Sequence, residues 1–141
     1  MTRRRRTRVL IEGEPSLRTH LAAQTREYAD VFTVSEPAAG LVMNRMRDTA
    51  QKMQFYLGEV LVTECKVQIN GHLGLGILTG DDEQAALDLA IIDAAFAAQL
   101  EITRPWIELL EAEELRISGR RAQEEARILE TRVDFQTMDS D

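Results

Sequence analysis

Few residues in this chain have the types and spacing that catalysis demands. Cys65 is the lone thiol, and the two histidines, His20 and His72, are far apart. Neither histidine forms a recognisable metal-ligand spacing with Cys65 or the carboxylates. Nucleophilic catalysis would need Cys65 or a serine beside a base. Cys65 falls on the inward face of a strand pattern, where a thiol behaves as a small apolar residue. A hard-cation site at Asp81-Asp82-Glu83 is conceivable, but capping of the following helix explains these acids better. Gly74-Leu75-Gly76 and Gly80 imitate a phosphate loop. They lie inside a strand and no P-loop lysine follows, and the acids after Gly80 occupy the place of an anion. The reading therefore assigns no catalytic, cofactor or metal residue.

Charge narrows the partners. The formal net charge is −7, yet Arg3, Arg4, Arg5, Arg6 and Arg8 open the chain. The body that follows is strongly acidic, which argues against a general nucleic-acid binder. The arginine arm of residues 1–8 reads as a solvated, mobile terminus or as a phosphate-binding arm. A single cysteine and the lack of a secretory h-region suit a reducing cytoplasm. No apolar run is long enough to cross a membrane.

The elements that must position these residues form one domain over 1–141, with a C-terminal tail at 132–141. The pattern predicts an α+β fold: a mostly antiparallel sheet of about five strands against helices, with an N-terminal helix and two long C-terminal helices. A helix starts at Pro15, and His20 in it is a surface or boundary residue. Val31–Ser35 and Leu41–Met46 read as strands joined across a turn at Pro37 and Gly40. Arg47–Lys52 reads as a loop. Phe55–Asn70 is long for one straight strand, so a bend or bulge is expected at Gly58. Asn70-Gly71 marks a type I′ hairpin turn, and His72–Thr79 returns.

In that return strand Gly74 and Gly76 share one face, opposite Leu73, Leu75 and Ile77. The missing side chains let a helix, a partner or a ligand approach the backbone closely. A helix follows, capped by Asp81 with Gln84 completing a capping box. Leu89, Ile92, Phe96 and Leu100 mark its core face, and Ala86, Ala90, Ala94 and Ala97 a second, flat stripe. Asp93 lies between the stripes, either paired at an interface or facing outward. Thr103-Arg104-Pro105 begins the last helix, in which Leu115, Gly119, Ala122, Ala126 and Leu129 form a late stripe with an expected kink near Ser118-Gly119. The tail from Arg132 to Met138 leaves helical spacing, and its apolar residues need a groove.

Four fragments in order carry a resemblance: Leu57–Glu64, the glycine-spaced strand ending Gly80-Asp81-Asp82, the alanine-rich helix with Ile92-Asp93-Ala94-Ala95, and the tail Arg132–Met138. Together they resemble the PhnG family, the G subunit of the bacterial carbon–phosphorus lyase core complex. The resemblance implies a part in the breakdown of organic phosphonates and assembly with subunits H, I and J. It implies ATP and a phosphonate as substrates of the complex, joined to give ribose 1-methylphosphonate 5-triphosphate. It places nucleosidase-like activity on subunit I and iron–sulfur radical chemistry on subunit J. No catalytic residue carries over by motif. The expectation is a binding subunit, docking through Gly74, Gly76, Val133, Phe135 and Met138. The alternative is a homo-oligomeric scaffold or phosphate-ligand-binding protein, with self-association of the isolated chain.

Overall fold

The computed structural model describes the backbone of residues 1–48 and 53–139 and the side chains of 1–42 and 58–132. Four α-helices pack on a three-stranded antiparallel sheet. The order along the chain is α1 (Arg3–Glu12), α2 (Pro15–Tyr28), β1 (Phe32–Asp48), β2 (Met53–Ile69), β3 (His72–Thr79), α3 (Glu83–Ala97) and α4 (Trp106–Asp139). A short 3₁₀ turn, Glu101–Thr103, precedes α4. The strands lie in the order β1-β2-β3.

The expected count of about five strands is corrected to three. Pro37 and Gly40 do not divide β1, which runs on through both. β1 is an edge strand, where proline need not donate a ladder hydrogen bond. Register shifts between Thr33 and Ser35 and between Ser35 and Ala38 absorb it. Part of the segment read as a loop, Arg47-Asp48, belongs to β1; the rest of that reading, 49–52, falls outside the described residues. Gly58 bends β2 without ending it: its φ is +126°, and it lies beside the register shift between Asn44 and Arg45. Asn70 and Gly71, with φ of 50° and 81°, make the tight turn that their types require.

The arginine arm is helical rather than a mobile terminus. Residues 3–8 form most of α1, whose N-cap Thr2 accepts from the Arg5 N–H. Arg6, Val9 and Leu10 are buried. Pro15 starts α2 as expected, and His20 is exposed. The cap of α3 is Asp82 rather than Asp81: its carboxylate accepts from the Ala85 N–H at 3.1 Å. Gln84 reaches forward to Asp88 instead of back to the cap.

The core lies between the sheet and α3, with α2, α1 and the start of α4 behind it. Thr63, Cys65, Val67 and Ile69 point inward from β2. Trp106 fills the far side, edge-on to Phe96 with ring centroids 5.7 Å apart. Its indole N–H donates to Gln24 at 3.1 Å.

Candidate functional site

The two strand glycines do permit close approach, and α3 of the same chain makes it. Ala86, Ala90 and Ala94 lie directly over β3. A Cβ on Gly74 would fall 2.5 Å from the Ala94 Cβ, and one on Gly76 2.6 Å from the Ala90 nitrogen. The flat alanine stripe and the side-chain-poor strand are two halves of one contact. Val133, Phe135 and Met138 have side chains outside the described residues, but their backbone is helical. The tail continues α4 to Asp139, so its expected departure from helix is corrected.

Asp93 organises the other side of this contact. It accepts from Arg3 at 3.0 and 2.6 Å and from Arg6 at 2.9 Å. Its second oxygen also accepts from the Leu75 N–H at 2.9 Å, a donor that β3 does not use in pairing with β2. One carboxylate thus ties α1, α3 and the free edge of the sheet together. The Arg6 guanidinium lies over the Phe96 ring, 4.1 Å from its centroid. Burial pushes the Arg6 pKa down, opposed by Asp93. Arg3 is held above its ordinary value by the hydrogen bond to Asp93. Arg5 is engaged by Glu114 of α4. Sequence reading left Asp93 without a partner because its arginines lie about ninety positions away.

The remaining titratable candidates have structural surroundings. Cys65 is fully buried, its thiol reaches the Ser35 carbonyl at 3.4 Å, and burial raises its pKa. A thiol held protonated is a poor nucleophile. Asp88 is buried between α3 and α2, where desolvation raises its pKa against the help of Gln84. Among the described residues no group of three His, Cys, Asp or Glu side chains is placed to hold a metal ion. No helix is long and apolar enough to cross a membrane, again among the described residues.

What the fold leaves open is surface. The strands alternate, so the face of the sheet away from α3 carries Leu73 and Ile77 from β3, with Phe32 and Val42 from β1. These are 55%, 41%, 63% and 46% exposed. Among the described residues no helix covers that face. Beyond the Val62–Thr79 pair β3 stops, while β1 and β2 continue as a two-stranded ribbon to Asp48 and Met53. Leu41 and Leu61, paired at the root of this ribbon, are exposed at 62% and 38%. The second half of α4 also lacks cover, since every side chain from Ser118 to Arg132 is exposed. Between the apolar residues of β1 and β3, β2 presents Glu64, Lys66 and Gln68, so the open face is mixed in character.

Comparison with known proteins gives one family. The sequence profile described as "Phosphonate metabolism protein PhnG" matches residues 1–139. None of the curated proteins searched matches the chain.

Proposed function

Because the chain belongs to the PhnG family and so takes part in phosphonate metabolism, we propose that it is an accessory, non-catalytic subunit of the carbon–phosphorus lyase core complex. In this reading it lends surface to subunits H, I and J and supports the step that joins a phosphonate to the ribose of ATP. The product of that step is ribose 1-methylphosphonate 5-triphosphate. The chain itself brings no cofactor, and its place is the cytoplasm.

The observation that carries the reading is the open sheet face with the ribbon beyond it. A two-layer fold buries one side of its sheet, and a free apolar side is stable in water only when small or covered. Phe32 and Val42 of β1 and Leu73 and Ile77 of β3 are exposed on either side of β2, which presents Glu64, Lys66 and Gln68 on the same face. A ribbon of eight residue pairs projects about 25 Å, the reach of an arm laid over a neighbour. The glycine strand is occupied by α3, so docking is assigned to the opposite face, the ribbon and the tail at Val133, Phe135 and Met138.

Co-expression with the other subunits tests this. Ile77→Lys and Leu73→Lys alter only exposed side chains, so the chain should fold and yet co-purify poorly. Phe135→Ser with Met138→Ser should weaken recovery through the tail. Recovery unchanged in all these variants would contradict the assembly reading.

A further inference from the structure

α4 has two apolar stripes on opposite sides. Trp106, Leu110 and Ile117 are 1%, 0% and 4% exposed and face the chain's own core. Leu115, Gly119, Ala122, Ala126 and Leu129 alternate steps of four and three, the spacing of a coiled-coil seam. In that heptad frame Leu110 and Ile117 occupy the position farthest from the seam. The seam therefore points away from the core, and Leu115 and Leu129 are 74% and 60% exposed. A free helical segment of this length is marginal in water.

We propose that this half of α4 pairs antiparallel with the same half of a second copy of the chain. The charges beside the seam choose the occupant and the direction. In a parallel pair Glu125 would face Glu130 of the other copy on both sides, which repels. In an antiparallel pair Glu125 faces Arg132 of the second copy, and the two-fold axis repeats that contact. Gln123 then faces Glu130 of the second copy, and Ala126 lies against its Leu129, small against large. A shift of one heptad would set Glu125 against its own counterpart. One arrangement thus satisfies the charges, and it is isologous, as a dimer of identical chains requires. Neither Glu125 nor Arg132 joins an ion pair within the chain among the described residues. The small residues along the seam let the helices approach closely but bury little area, so the dimer is a weak one.

The inference stands apart from the assembly reading, because its test contains no other subunit. Sedimentation equilibrium of the full chain at low salt should show a reversible monomer–dimer equilibrium. E125R alone and R132E alone should each weaken it about tenfold, the worth of two exposed ion pairs. The double variant E125R/R132E should return to within about threefold of the original. Both positions of change are exposed, so circular dichroism should be unaltered. A chain that stays monomeric, a dimer indifferent to the single reversals, or a double variant no tighter than the singles would overturn the proposal. Any of these results would leave the subunit reading in place.

Discussion

Asp93 and Arg6 are 87 positions apart in the chain and 2.9 Å apart in the fold, with both side chains about nine-tenths buried. The pair joins the first helix to the helix over the sheet. Through Leu75 it also closes part of the free edge of β3. Edge strands invite pairing with other chains, so the carboxylate has a protective as well as a fastening effect.

Asp93→Ala should cost about 3–5 kcal/mol in urea unfolding, because it leaves Arg6 buried and unpaired. Arg3→Ala should cost about 1 kcal/mol or less, since that side chain is 62% exposed and solvent screens its pairing. Joint replacement by Arg6→Met and Asp93→Ala should cost less than the sum of the two single changes. Strict additivity would show that the pair is not coupled.

Gly76→Ala and Gly119→Ala should have opposite signs. The added methyl at position 76 meets helix backbone at Ala86 and Ala90. Backbone cannot yield as a side chain can, so a loss of about 3 kcal/mol is expected. At position 119 nothing lies within 4 Å, and alanine should stabilise α4 by roughly 0.5–1 kcal/mol. Thermal unfolding of the two variants beside the parent checks both.

Asp88 gives a pH signature. Its folded-state pKa is raised, chiefly by desolvation, so the folded state binds the proton more tightly than the unfolded chain does. Stability from this group is fully present below the ordinary carboxylate range and is lost as pH rises through the raised value. Asp88→Asn should therefore be more stable than the parent at neutral pH. That advantage should vanish below about pH 4. Denaturant midpoints across this range measure it, and a variant less stable at neutral pH would show that the charged form is favoured.

Much of the local structure was legible. Asn70-Gly71 announced its turn, the alternation of Cys65, Val67 and Ile69 announced an inward face, and Gly58 announced a bulge. The strand count failed at Pro37 and Gly40, because their turn character is tolerated on an edge strand with shifted register. The arginine run failed for a different reason. Residue types at one end of a chain do not reveal a carboxylate at position 93, and five cations in eight residues look solvated until that partner is found. Glycine-strand and alanine-helix patterns were each visible, but their mutual contact is tertiary. The open sheet face was implicit in Leu73, Leu75 and Ile77, and only the absence of a second helix layer made it a surface.

We propose that this chain supplies surface while its partners supply the reaction. Adenine release from ATP in the presence of a phosphonate measures this most directly, with the purified chain alone, with the other core subunits alone, and with all together. The account predicts no release by the chain alone and a clear gain when it joins the others. It also predicts that Ile77→Lys reduces the gain in step with lost association. Adenine release by the isolated chain, or full activity of the other subunits without it, would contradict the claim.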